Sequence, residues 1–312
     1  MTVKQQSRIA LFSALFVFGV LPGLQAPVRA QDDQASYATP EAAVTGLVEA
    51  ARSEDLAKAL TSVLGAEGAD IATSGDPVAD AARRTKFLRA FDESHAIEQD
   101  GAAKATLIVG SEEFPFPIPL ILENGNWRWD TAQGIDEILT RRIGENELDT
   151  IKVMRGYVAA QFEYAEQDRD GKGAQYARRL MSREGHKDGL YWPVSDGEEP
   201  SPIGPLVAEA QSKGYSGTGS GSAYNGYVFR ILNGQGKAAS DGARDYVFAD
   251  RMIGGFALIA TPAEYANSGV MTFIVNQDGI VFEKDLGPDS RALAADIKLF
   301  DPDPSWKAVE AE

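Results

Sequence analysis

The chain has 312 residues, with 46 acidic against 30 basic side chains, two histidines and no cysteine, for a formal net charge of −16. Its length suits two domains of roughly 150 residues or one large one, and an apolar content of 44% is that of a folded protein. The missing cysteine removes disulfides, thiolate catalysis, iron–sulfur clusters and Cys-ligated zinc, and the acidic balance argues against bare nucleic acid and anionic lipid surfaces, which demand clustered Lys and Arg.

The first thirty residues read as an export leader. Lys4 and Arg8 open a basic start, Ile9 to Leu21 is apolar apart from Ser13 and Gly19, and Val28-Arg29-Ala30 sets up a cut after Ala30. As a helix the apolar run rises about 20 Å, short of the roughly 30 Å hydrocarbon core, so cleavage is favoured over a membrane anchor. No cysteine follows to carry a lipid. The expectation is a periplasmic or secreted chain with no membrane span after cleavage.

Residues 31–140 predict three helices and then a sheet. Thr39-Pro40-Glu41 is an N-cap, an N1 proline and a first-turn acid, ahead of Val44, Leu47, Val48 and Ala51 at helical spacing. Ser53-Glu54-Asp55 caps a second helix with Leu56, Leu60 and Val63, ending at Gly65. Asp76-Pro77 opens a third through about Asp92, with Val78, Leu88 and Phe91 on one side. The period then falls to two. His95–Gln99, Ala103–Val109 and the proline-spaced run Phe114 to Leu122 read as strands, and Glu123-Asn124-Gly125-Asn126 as a type I′ hairpin into Trp127-Arg128-Trp129. The layout is similar to a cystatin-like or nuclear-transport-factor-like cone. Trp127 and Trp129 read as core, and His95 has no acidic partner by spacing.

Residues 141–312 predict a helix from Glu145 to about Gln167, with an apolar stripe of Leu148, Ile151, Met154, Val158, Phe162 and Ala165. Asp168 and Asp170, before Gly171, invite a calcium-loop reading, but Lys172 sits at the third ligand position and Arg179 at the twelfth, so a charged turn is preferred and no metal is expected. Gly217-x-Gly219-x-Gly221 lacks the Lys-Ser/Thr of a phosphate loop. Strands follow at Tyr227–Leu232, Tyr246–Ala249, Phe256–Ala260, Val270–Val275 and Ile280–Lys284, then a short helix with Leu293 and Ile297. One long helix on an antiparallel sheet is an α+β layout that looks like the globular part of pilin subunits.

Several strings carry a family resemblance: Gly189-Leu190-Tyr191-Trp192-Pro193, Gly226-Tyr227-x-Phe229-Arg230-Ile231-Leu232, Met252-Ile253-Gly254-Gly255-Phe256-Ala257-Leu258, Pro262-Ala263-Glu264-Tyr265, Gly269-Val270-Met271-Thr272-Phe273-Ile274-Val275 and Lys284-Asp285-Leu286-Gly287-Pro288. Together they resemble the bacterial domain-of-unknown-function family 2950, from the Thr39-Pro40-Glu41 helix start to Trp306. The resemblance implies an exported bacterial protein without an assigned activity. Lys172 departs from an acid often found there, which weakens any family-wide metal idea.

Two function classes follow. The first is a non-catalytic envelope binding or assembly protein, with an envelope protein or a small ligand as partner, no cofactor, and Tyr191, Trp192, Arg230, Arg251, Tyr265 and Lys284 as candidate binding residues. The second is a cell-envelope hydrolase, either with His186 and Asp188 as an oriented base or with Glu264 and Asp285 as paired carboxylates. A nucleophile elbow of the Gly-x-Ser-x-Gly kind surrounds neither Ser182 nor Ser195, which favours the first class.

Overall fold

The computed structural model describes residues 34–195, 197–215 and 222–310. The leader, its cut after Ala30 and the Gly217-x-Gly219-x-Gly221 string lie outside the described residues.

The first part contains helices α1 (Pro40–Arg52), α2 (Leu56–Leu64), α3 (Gly68–Ala72) and α4 (Pro77–Glu93), then strands β1 (His95–Gln99), β2 (Lys104–Val109), β3 (Phe114–Pro115), β4 (Leu120–Glu123) and β5 (Asn126–Trp129). The caps form as the sequence requires: Thr39, Asp55 and Asp76 accept from the backbone N–H of Ala42, Lys58 and Ala79. The short α3 is additional to the three expected helices. It packs so closely on α2 that a Cβ at Gly68 would collide with the Leu60 carbonyl.

The sheet is antiparallel in the order β1-β2-β4-β5, with β3 also on β2. Asn124 (φ 53°) and Gly125 (φ 83°) are both left-handed, as a type I′ hairpin demands. The expected strand from Phe114 to Leu122 is instead broken between β3 and β4, because Pro115, Pro117 and Pro119 withhold alternate N–H donors. Leu47, Leu64, Leu107, Leu120 and Trp129 form the core of this part, each such side chain contributing about 2 kcal/mol on burial. The Trp129 indole N–H donates to the Ala43 carbonyl at 3.3 Å.

Helix α5 (Thr131–Ala165) runs for 35 residues, about 52 Å at 1.5 Å per residue. Its start lies well before the expected Glu145, since Gly134 and Gly144 hide the periodicity there. The buried face also differs from the expected stripe. Leu148 and Phe162 are 51% and 45% exposed, whereas Arg142, Asn146, Thr150, Met154, Tyr157, Gln161 and Tyr164 turn inward. Polar side chains occupy that face because loops bring backbone carbonyls and amides to meet them.

Beyond it come α6 (Gly204–Ser212), β6 (Tyr227–Leu232), β7 (Gly234–Gln235), β8 (Arg244–Asp245), β9 (Val247–Phe248), β10 (Arg251–Met252), β11 (Ala257–Pro262), β12 (Met271–Asn276), β13 (Phe282–Asp285), α7 (Ser290–Asp296) and β14 (Lys307–Ala308). The main sheet runs β14-β13-β12-β11-β6, antiparallel throughout, leaving β6 at one edge. Tyr157, Tyr227, Phe256, Phe273 and Phe300 fill its core. Helices and antiparallel sheets in these proportions make the protein α+β. Among the described residues no helix is long and apolar enough to cross a membrane.

A buried polar seam ties α4 and α5 to the later loops. Asp76, 1% exposed, caps α4 through Oδ1, while its Oδ2 accepts from the Tyr215 hydroxyl at 2.7 Å and the Gly226 N–H at 2.9 Å. Arg142 donates to the carbonyls of Asp70 and Ile71 at the end of α3 and to Asn267 Oδ1. Asn146 donates to the Ser268 carbonyl and accepts from Arg83. Gly226 sits at φ 76°, where a Cβ would also strike Asn146. Burial, together with the hydrogen bond to Asp76, pushes the Tyr215 hydroxyl well above its usual pKa. Replacing Asp76 removes a cap and strands two buried donors, so Asp76→Ala should cost about 3 kcal/mol in urea unfolding, and Asp76→Asn less. A loss under 1 kcal/mol in Asp76→Ala would show the seam to be ornamental.

Candidate functional site

Behind the C-terminal half of α5, the chain from Asp170 to Arg183 crosses the helix as a strap. Gln161, fully buried, holds it like a strand partner: its Nε2 donates to the Ala177 carbonyl and its Oε1 accepts from the Ala177 N–H, both at 2.8 Å. Tyr191 pairs with the strap through its backbone, donating to Leu180 and accepting from Ser182. Asp188 closes the end, accepting from the Arg183 N–H at 2.9 Å and the Arg183 Nε at 2.6 Å, with Arg179 Nε at 3.5 Å.

Between the strap, α5, α6 and the edge strand β6 lies a cleft of about 1050 Å³. Its floor is apolar, with Tyr157, Leu206, Val207, Phe229, Ile231 and Leu258. Its rim is basic: Lys172, Arg178, Arg179, Arg183, Arg230 and Arg251 face Asp170, Asp188 and Asp250. Six bases against three acids is the reverse of the chain as a whole. Arg178 is paired with Asp250. Arg251 donates from one terminal nitrogen to the carbonyls of Gly173 and Ala174, and its buried Nε has no partner among the described residues.

The β6 edge is paired at both ends and bare between them. Tyr227 exchanges backbone hydrogen bonds with Tyr224, away from β11, and the Asn233 carbonyl accepts from the Tyr246 N–H. By the strand's period of two, the N–H and C=O groups of Phe229 and Ile231 point the same way as those of Tyr227. No hydrogen bond reaches them from outside the sheet among the described residues. These four groups line the cleft.

The sequence-chosen residues distribute as follows. Arg230 and Arg251 reach the cleft, although the Arg230 guanidinium spends two hydrogen bonds on the Ala294 and Ile297 carbonyls at the end of α7. Trp192 is 3% exposed, between Arg169 and Lys187 at 4.9 and 5.1 Å from its ring, and its indole N–H donates to the Glu199 carbonyl. Lys284 donates to Ser305 Oγ beside Trp306, and the Tyr265 hydroxyl to Asp285. Neither these two residues nor Tyr191 and Trp192 line the cleft. His186 is exposed, and no hydrogen bond joins it to Asp188 among the described residues. Glu264 accepts from Asn267 in the seam, while Asp285 accepts from Tyr265 and Gly287, so no contact brings these two carboxylates together. The carboxylates of Asp168 and Asp170 turn back onto the Lys172 N–H. Backbone N–H groups, that of Gly173 foremost, hold Asp168 below its usual pKa. Among the described residues no three His, Asp or Glu side chains converge as metal ligands.

Gln161, Phe229 and Ile231 escaped the sequence reading, as did the basic strap from Lys172 to Arg183, whose clustered bases in an acidic chain were the visible signal. A family model described as "Protein of unknown function (DUF2950)" matches residues 34–309. The chain belongs to the DUF2950 family. No curated protein and no solved structure matches it. In this DUF2950 member, then, the geometry of the cleft is the guide to function.

The strap has an acid-labile anchor. Burial alone would raise the Asp188 pKa, but the Arg183 hydrogen bonds and the charges of Arg183 and Arg179 outweigh it and hold it below the ordinary carboxylate value. A depressed folded pKa contributes stability that is present above about pH 4 and fades as pH falls through the depressed value. The melting-temperature gap between wild type and Asp188→Asn should therefore be constant from about pH 5 to 8 and shrink below about pH 4. A gap that widens on acidification would contradict the sign of this anchor.

Proposed function

We infer that the protein is an exported, non-catalytic binding protein of the bacterial envelope, and that its cleft takes an extended acidic segment of a partner polypeptide. The observation that carries this reading is a stretch of β6, inside a basic-rimmed cleft, that no hydrogen bond reaches from outside the sheet among the described residues. An incoming strand would satisfy the free N–H and C=O groups of Phe229 and Ile231, the β-augmentation mode of peptide recognition. Its side chains would alternate between the apolar floor and the rim. Carboxylates at the rim would meet Arg251, whose Nε lacks an acceptor, and the neighbouring strap cations. Export rests on the leader pattern of residues 1–30 and its small-x-small end at Ala30.

The hydrolase reading finds no comparable support. Asp188 is bound by arginines rather than by His186, and Glu264 and Asp285 each serve a different local hydrogen bond.

Two measurements test the proposal. A fluorescein-labelled decapeptide of alternating Asp and Val should bind saturably by anisotropy, weakening with added salt. Ile231→Pro removes an outward N–H on an edge strand, a substitution sheets tolerate, together with a floor side chain whose loss Ile231→Ala measures separately. The proline variant should leave the fold intact and weaken the peptide at least tenfold. Wild-type affinity in Ile231→Pro would refute strand addition. Separately, N-terminal sequencing of the protein recovered from a periplasmic extract should begin at Gln31; a cytosolic chain retaining Met1 would overturn the export assignment.

A further inference from the structure

A second recess, of about 600 Å³, lies beneath α4, far along the sequence from the cleft. Helix α4 is 17 residues long and buries none of them. Its partly buried Phe87, Ala90 and Phe91 pack on the core beneath, and it is also pinned at its two ends. At the N-terminus Asp76 reaches Tyr215 and Gly226, and Asp80 accepts from the Ser74 N–H and hydroxyl. Near the C-terminus the Ala90 carbonyl accepts from the Gly110 N–H at 3.1 Å, and Arg52 bridges to Asp92 at 2.6 Å. Between these pins the helix roofs an apolar hollow, with Leu47, Leu60, Ile71, Phe87, Val109 and Phe116 among its walls. An apolar cavity of this size falls in the range that encloses small ligands.

One stretch of its wall is polar in an unusual way. Arg142, 5% exposed, has a buried Nε without a partner among the described residues. Arg83, also on the wall, donates to Asn146 at 2.9 Å, one helical turn along α5 from Arg142. Two guanidinium groups thus stand close together beside an apolar space, and Asp80, which shares the wall, is already engaged by Ser74 as well as by Arg83. Burial, and after it the charge of Arg83, holds the Arg142 pKa below its usual value, against the opposing charges of Asp80, Glu264 and Asp70. Arg84, also on the wall, makes no hydrogen bond or ion pair among the described residues.

We propose that the hollow beneath α4 binds a single-chain amphiphile with an anionic head, of the fatty-acid class, its chain lying under the helix and its head against Arg83 and Arg142. The apolar walls supply most of the binding. The arginines select a carboxylate over a neutral head through charge-assisted hydrogen bonds, which the partly exposed Arg83 is placed to donate. Glu93 and Glu112 also line the wall, and repel an anion that enters with its head away from the arginines.

The test uses the full exported chain and two probes differing only in head group, dodecanoate and 1-dodecanol, read by displacement of the fluorescent fatty acid cis-parinarate. Wild type should bind one dodecanoate per chain. Arg83→Gln should weaken dodecanoate at least tenfold and dodecanol less than twofold. Should Arg83→Gln fail to fold by circular dichroism, Arg83→Met, which keeps the apolar stem and removes the charge, carries the same comparison. Ala90→Phe, which fills the hollow from the partly exposed helix, should abolish both probes, whereas Ile231→Pro in the cleft should change neither. Phosphatidylglycerol vesicles, offered in parallel, should not compete. No saturable dodecanoate binding by wild type, equal loss of both probes in the arginine variant, or retention of both in Ala90→Phe would each overturn the proposal, and competition by vesicles would replace the free amphiphile with a bilayer lipid.

Discussion

The fully buried Asp76 carboxylate is the constraint on which the architecture turns. One oxygen starts α4 and the other fixes Tyr215 and Gly226, so a single side chain decides where a helix begins and where the loop ahead of β6 must lie. Beside it, α5 offers Arg142 and Asn146 rather than leucines to the same junction. Groups of this kind add little net stability when satisfied, yet cost heavily when a partner is lost. The seam therefore specifies one arrangement of α4, α5 and the 215–226 and 264–268 segments more than it strengthens it. Both recesses inherit their geometry from that specification, since the floor of the cleft and the wall of the hollow are built from α5.

Much of the local structure was legible in the chain itself. Caps at Thr39, Asp55 and Asp76 and the Asn124-Gly125 turn are enforced within a few residues, so their signals survive any tertiary context. Strand β6 and the short helix near Leu293 were placed for the same reason. Helix α5 was misjudged at its start and on its buried face. Its polar residues are buried only because carbonyls at 70–71 and 268 and the Ala177 amide come from elsewhere in the fold, and no periodicity encodes that. Helix α4 starts at the expected Asp76-Pro77 cap and ends at Glu93, and its Val78, Leu88 and Phe91 are partly buried.

The candidate sites were harder still. Arg230 and Arg251 were chosen for lying at strand ends and turns, and both reach the cleft. The aromatic residues chosen with them, Trp192 above all, belong to the packing that holds the strap in place. What makes the cleft distinctive is a missing interaction along the main chain at Phe229 and Ile231, and side-chain chemistry leaves no trace of that in sequence. The basic strap was visible, but its meaning depended on Gln161 folding it across α5.

The exposed stretch of β6 also filters what can dock there by shape. It is flanked by Tyr224 at one end and by the Asn233–Tyr246 pairing at the other, so only about three residues of a visitor can lie alongside. A folded sheet edge is too broad and too stiff to enter such a slot, and a second copy of the chain would bring its own arginines against these. Under the proposed strand addition, threadlike termini and unfolded linkers would be admitted where stacked sheets are not, which would guard an open strand against runaway polymerisation without closing it to use.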